Sequence, residues 1–191
     1  MTVRVTDRPM DPCADPLRTP VVLSLGSNLG NRFAHLESAR AFLSVGGVVR
    51  VRRASSLYDT EPVECRSQPW FLNQAVLVET DLPPLLLLSF CQRVESLLGR
   101  RRSEWHGPRT VDVDILLFGS MTVRSSLLTL PHKGLPFRRS ILAPLEELGL
   151  QWRHPVLGAD VPGLLAHCPD HSRVIRVAPG ASIGAAGKHA R

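Results

Sequence analysis

The sequence predicts an α+β fold in which an antiparallel sheet is covered by helices. Three observations predict it. Short apolar runs of strand length alternate with longer stretches whose apolar residues recur at helical spacing. Clusters of Gly, Pro, Asn, Asp and Ser separate them. The elements follow one another as strand, helix, strand, strand, helix, strand. This is the βαββαβ order of ferredoxin-like folds.

Each element has its own justification. Val21 to Leu25 is an apolar strand that runs into the turn cluster Gly26-Ser27-Asn28. Asn31 to Val45 has helical spacing, with Leu36, Ala39 and Leu43 on one face and Gly46-Gly47 as its stop. Val49 and Val51 alternate with arginines, so Val48 to Ser56 reads as a half-buried strand. A loop of turn formers runs from Asp59 to Pro69, and Phe71 to Glu79 is the next strand. The second helix takes Asp81 as its cap and Pro83 or Pro84 in its first turn. Leu87, Val94, Leu97 and Leu98 form its buried stripe, and Gly99 ends it. Thr110 to Phe118 is a strand, Gly119-Ser120 a turn, and Met121 to Arg124 a further strand. A last helix spans about Arg138 to Leu148, with Pro144 inside it.

A chain of 191 residues suits one domain with a substantial core. Residues 1–19 are proline-rich and aperiodic and read as a flexible extension. Residues 20–174 form the domain, and residues 175–191, rich in small residues, read as a disordered tail. No apolar run is long enough to span a bilayer and the N-terminus lacks a signal-peptide pattern, which predicts a cytoplasmic protein with no membrane partner. Four widely spaced cysteines, with no Cys-x-x-Cys pair, read as free thiols. The net charge of +6 favours an anionic partner. Aromatic content of 5% leaves little for a nucleic-acid stacking platform.

The densest polar cluster lies between Gln92 and Asp114. Alternate strand residues share a face, so Val111, Val113 and Ile115 point into the core while Asp112 and Asp114 point together to the other side. Two strand rises separate their backbones by about 6–7 Å. Paired carboxylates repel unless a cation lies between them, and two hard divalent ions fit such a gap. A lone Asp-x-Asp is more often a solvated strand face. Here Arg100, Arg101, Arg102 and Arg109 lie just ahead, with Gly107-Pro108 between. Guanidinium forks match phosphate oxygens, so the stretch suits a metal-bound polyphosphate. The bland alternative is a solubilising or RNA-binding loop. Gln92 and Glu95, three apart, share a helix face and are able to bond a base or ribose. The sequence has no P-loop and no Gly-x-Gly-x-x-Gly, so a nucleotide here is held by arginines and metal.

At this point the chain resembles the 6-hydroxymethyl-7,8-dihydropterin pyrophosphokinases. The matching pieces are Leu25-Gly26-Ser27-Asn28-Leu29, Ser56-Leu57-Tyr58, Phe71-Leu72-Asn73, Gln92-x-x-Glu95 and Gly99-Arg100-x-Arg102. They continue with Gly107-Pro108-Arg109-Thr110-x-Asp112-x-Asp114-Ile115-Leu116 and Leu130-Pro131-His132. They occur in family order from about residue 21 to 150. The resemblance implies that Asp112 and Asp114 hold two magnesium ions. It implies that Gln92, Glu95, Arg102, Ile115, His132 and Arg138 surround ATP, while Arg100 and Arg109 steady the transferring group. Asn73 and Phe71 then bind the pterin, with backbone near Thr60 and Val63. The implied substrates are ATP and a small pterin, the implied state a monomer, and nucleic acid is not an implied partner.

The chain departs from the family pattern at several positions. His106 stands where the family has tryptophan, with Trp105 one residue earlier, and the arginine loop is one residue shorter. Ser140 stands where the family has an aromatic ring, which predicts weaker pterin binding. Glu61 and Lys133 are also unusual at their positions. Two other functions stay open at this level. One is a relative that binds nucleotide or pterin without turnover. The other is an RNA-binding ferredoxin-like domain, which would need aromatic sheet motifs that this sequence lacks.

Overall fold

A computed structural model describes residues 2–4, 17–63, 67–100 and 107–178. The main sheet has the strand order β6-β2-β5-β4-β9, from Asp112–Phe118, Thr19–Ser27, Phe71–Thr80, Tyr58–Thr60 and Val174–Arg176. Strand β3 (Val49–Ala54) also pairs with β5, beyond the end of β4. All these pairings are antiparallel. Residues 2–4 form β1, which joins β7 (Thr122–Arg124) and β8 (Thr129–Leu130) in a small second sheet.

One face of the main sheet is covered by helices α1 (Arg32–Ser44) and α2 (Pro84–Leu97). Val21, Leu23 and Leu25 of β2, Val76 and Val78 of β5, and Val113 and Ile115 of β6 meet Leu36, Ala39, Leu43, Leu87, Cys91 and Val94 there. Each buried Val, Leu or Ile there contributes about 1.5–3 kcal/mol by leaving water. Asn31 caps α1, its Oδ1 accepting the Ala34 N–H at 3.0 Å. Pro84 opens α2, where its missing N–H costs nothing.

The opposite face changes character along its length. At one end Val22, Ala75, Leu77, Leu116 and Leu117 pack under α3 (Arg139–Glu147) and α4 (Val161–Ala166), with Trp152 between. At the other end the same three strands present Ser24, Gly26, Asn73, Asp112 and Asp114. The register aligns this change: Gly26 sits between Asn73 and Asp112, and Ser24 between Ala75 and Asp114. The polar end is where the sheet is left open beside the start of α3.

Several expectations need correction. Asp81 does not cap α2; Pro83 takes that place, and Asp81 pairs with Arg18 at 2.9 Å. Leu97 is 63% exposed, because the buried stripe runs Leu87, Cys91, Val94 and Glu95. Residues 2–4 are strand rather than aperiodic extension, and Ile175 and Arg176 belong to β9 rather than to a tail. Cys91 and Cys168 are free thiols; Cys13 and Cys65 lie outside the described residues. Among the described residues no helix is long and apolar enough to cross a membrane.

Candidate active site

The open end of the sheet forms a cleft. Ser24, Gly26, Asn73, Asp112 and Asp114 are its floor, Thr60 to Val63, Gln68 and Phe71 one wall, and Arg138, Ser140 and Ile141 the other. Arg109 also lines it. Strand alternation places Asp112 and Asp114 on this face while Val113 and Ile115 go to the core, as the sequence predicts. Gly26 leaves room for Asn73 at the floor, since a Cβ there would lie 2.8 Å from Asn73 Oδ1 and displace that amide.

Asp112 gathers the cationic groups. Arg100 Nη1 donates to its Oδ1, and Arg109 Nε lies 2.9 Å from its Oδ2. The Arg109 guanidinium also sits 5.1 Å from the Phe71 ring centre, joining the charged and aromatic parts of the cleft. Asp114 has a different environment. Burial, and then the neighbouring charges of Asp112 and Glu95, push its carboxyl up to about 7. An ionised Asp114 therefore lacks sufficient positive compensation from the protein's own groups. A hard divalent cation would supply it, and carboxylate oxygens are the donors such a cation takes. The residues fit the group, although a cation on Asp112 must share that carboxylate with two arginines.

Glu95 is where the geometry departs most from expectation. Gln92 is exposed, but Glu95 is buried at 4% exposure and turns toward β6. Its Oε1 accepts the Val113 N–H at 2.8 Å and also a bond from Arg100. Burial raises its pKa, opposed by those two donors. Gln92 and Glu95 thus do not share one exposed helix face, and Arg100 lies between Glu95 and Asp112, bonded to both. Ile115 is buried in the core beneath the sheet. Arg102 and His106 lie outside the described residues.

His132 is held neutral, its pKa lowered to about 4 by burial and then by Arg138 and Lys133. Its backbone N–H donates to Leu116 O at 2.9 Å, and its Nδ1 accepts the Gly134 N–H at 3.2 Å. That contact leaves the ring proton on Nε2, a neutral donor. Asn73 is oriented by its Nδ2, which donates to Thr60 Oγ1 at 2.6 Å.

Two residues without an assigned role in the sequence position the rest. Asn28, fully buried, donates through Nδ2 to Gln68 Oε1 at 3.0 Å and accepts the Arg109 N–H at 2.8 Å. Arg32 binds Asp59 Oδ1 at 2.6 Å and Trp70 O at 2.9 Å, holding the ends of the loop between β4 and β5. The signal for Asn28 is its place in the turn after β2; for Arg32 the sequence offers none.

The family described as 7,8-dihydro-6-hydroxymethylpterin-pyrophosphokinase (HPPK) matches residues 22–149. The chain belongs to this family. A Bacillus subtilis relative, 2-amino-4-hydroxy-6-hydroxymethyldihydropteridine pyrophosphokinase, is 43% identical over 126 residues, covering 66% of this chain and 75% of its own. The Methylorubrum extorquens protein of the same name is 39% identical over 130 residues, covering 68% and 82%. The Schizosaccharomyces pombe folic acid synthesis protein fol1 is 40% identical over 133 residues, 70% of this chain, but this chain spans only 18% of that protein. A Plasmodium falciparum HPPK-DHPS crystal structure superposes with a TM-score of 0.64 at 17% identity, over 78% of this chain and 44% of that one. That likeness establishes the fold, and the family's sheet and helices are the ones described above.

Proposed function

We propose that this chain transfers a pyrophosphoryl group from ATP to 6-hydroxymethyl-7,8-dihydropterin, giving the pterin diphosphate and AMP, in folate synthesis. The observation that carries the reading is one cleft that joins Asp112 and Asp114, Arg109, Phe71 and Asn73. Arg100 reaches the same Asp112 from behind. Membership of the pyrophosphokinase family supports the same chemistry.

In this reading Phe71 takes one face of the pterin ring, and Asn73, fixed by Thr60, bonds its edge. Backbone near Val63 completes that wall. Asp112 and Asp114 would hold two magnesium ions, which neutralise phosphate charge and favour the alkoxide form of the attacking hydroxyl. Arg138 and the Nε2–H of His132 meet ATP phosphates from the α3 side, and Gln92 and Arg102 complete the nucleotide's surroundings. The pterin hydroxymethyl oxygen attacks the β-phosphorus and AMP leaves from the opposite side. Arg100 and Arg109 stabilise the charge that spreads over the transferring group. Arg109 leads here, because it touches both the Asp112 carboxylate and the Phe71 ring. Glu95 acts on ATP only through Arg100.

Product analysis tests the reaction type. With ATP, magnesium and the reduced pterin alcohol, the reading requires AMP and a diphosphorylated pterin in equal amounts. ADP with a monophosphorylated pterin, or no turnover with pterin still bound, would refute it. The reading also takes the chain as a cytoplasmic monomer, and its mass in dilute solution checks the oligomeric part.

A further inference from the structure

The two walls of the cleft come from distant parts of the chain. One is the segment after β4, Thr60 to Val63; the other is the start of α3, Arg138 to Ile141. A third segment, after α4, bonds to both. Asp170 Oδ2 accepts the Arg139 N–H at 2.9 Å, capping a helix whose own N-cap residue provides no side-chain cap. Its Oδ1 accepts the Ser172 N–H at 2.8 Å, which folds the next residues toward the opposite wall. Arg173 then meets Glu61 in both directions: Glu61 N–H donates to Arg173 O at 2.9 Å, and Arg173 N–H donates to Glu61 Oε2 at 3.2 Å. The Arg173 guanidinium lies 4.8 Å from the Trp70 ring centre, just before Phe71.

We infer that the segment from Asp170 to Arg173 is a strap that fixes the spacing of the two pterin-binding walls, with Asp170 and Arg173 as positioning residues for that substrate. The inference rests on the proposed pterin site.

Energetics favour a positioning role for Arg173 over a purely structural one. Its side chain is 65% exposed and its Nε lies 3.7 Å from Glu61, a solvated pair that adds little to folding. Yet Arg173 holds that wall twice over: its backbone bonds the Glu61 N–H and carboxylate, and its guanidinium lies beside the same carboxylate and over the Trp70 ring. Arg32 grips that wall from the other side through Asp59 and Trp70 O. Three residues further on, Arg176 donates to Glu147 Oε1 at 2.8 Å and to Ser56 Oγ at 2.9 Å, so the same segment also anchors the far end of α3. Ser140 provides no ring on the α3 wall, so wall spacing carries more of the pterin's orientation than a two-ring sandwich would require. The strap also accounts for Glu61, an unusual residue at its position.

The test uses the full chain and measures the dissociation constant of 6-hydroxymethylpterin by fluorescence, alongside steady-state kinetics. Arg173→Ala removes the stack and the ion pair. Asp170→Asn leaves one acceptor oxygen where two N–H groups need one each. Each variant is expected to raise the pterin dissociation constant and KM roughly 3- to 10-fold, with kcat and the ATP KM unchanged. Arg173→Lys should recover part of the loss. Asn73→Ala serves as the reference for the site itself. If Asn73→Ala weakens pterin binding while Arg173→Ala and Asp170→Asn leave it unchanged, the strap is refuted and the pterin site stands. If all three leave it unchanged, the pterin site itself is refuted.

Discussion

Asn28 and Arg109, 81 residues apart, bond to each other in both directions: Asn28 Oδ1 accepts the Arg109 N–H at 2.8 Å, and the Asn28 N–H donates to Arg109 O at 3.2 Å. The turn after β2 thereby fixes the backbone from which Arg109 reaches Asp112 and Phe71. Asn28→Ala leaves the Arg109 N–H without its side-chain acceptor and frees Gln68. A buried bond of this kind is worth about 1–3 kcal/mol, so kcat/KM should fall roughly 10- to 100-fold. Steady-state kinetics on a variant whose circular dichroism is unchanged provides the check; activity within twofold of the parent would refute the positioning role.

Glu95 yields a prediction of the opposite kind from its sequence reading. A residue that bonds ATP directly should, when changed to Gln, weaken ATP binding. A residue that aims Arg100 should lower kcat with ATP affinity nearly unchanged. The bonds to Val113 N–H and Arg100 require the second outcome. Glu95→Gln should lower kcat about 10-fold, because a neutral acceptor holds a guanidinium less firmly. Titration with a non-hydrolysable ATP analogue separates the two cases.

The contrast between Glu95 and Asp112 indicates what the sequence made legible. Strand alternation placed Asp112 and Asp114 on the face away from Val113 and Ile115, because a period of two leaves no freedom once one face is buried. The helix was less informative. Gln92 and Glu95 are three apart, yet Glu95 falls on the buried stripe of α2 and Gln92 outside it, so one is exposed and the other sealed under β6. The same rotation exposes Leu97. Strands β4 and β9 were not predicted, since three residues carry no readable alternation and β9 exists only through its pairing with β4. The second core under α3 and α4 was hidden for a related reason. Its apolar members lie on the same strand faces as the site's polar residues, and only the three-dimensional register separates the two halves.

Ser140 gives a prediction that gains function. It lines the cleft across from the Phe71 wall. A ring there would stack on the free face of a bound pterin, an interaction worth roughly 1–3 kcal/mol by analogy with base stacking. Ser140→Phe should therefore tighten the pterin dissociation constant about 5-fold or more. Fluorescence titration is the measurement, and a constant no tighter than the parent's would contradict the geometry.

Asp114 and His132 shift stability with pH in opposite directions. The folded Asp114 carboxyl keeps its proton up to about 7, whereas the usual value is 3.8. Between those values the unfolded chain binds fewer protons, so this group's stabilisation is lost as pH rises toward 7. The folded His132 stays neutral down to about 4, whereas the usual value is 6.5. In that window the unfolded chain binds more protons, so this group makes stability rise with pH. Urea unfolding in metal-chelating buffer should show Asp114→Asn gaining on the parent as pH increases through the window. His132→Gln should fall behind the parent over its own window. Parallel curves for either variant would show that its group does not titrate as stated.

The most direct measurement is AMP release from ATP and the reduced pterin alcohol in the presence of magnesium, with the parent chain beside Asp112→Ala and Asp114→Ala. The parent should turn over, and each variant should lose at least about 1000-fold in rate while its melting curve stays cooperative. AMP release by either variant at near-parental rate would contradict the assignment of those carboxylates to the divalent ions.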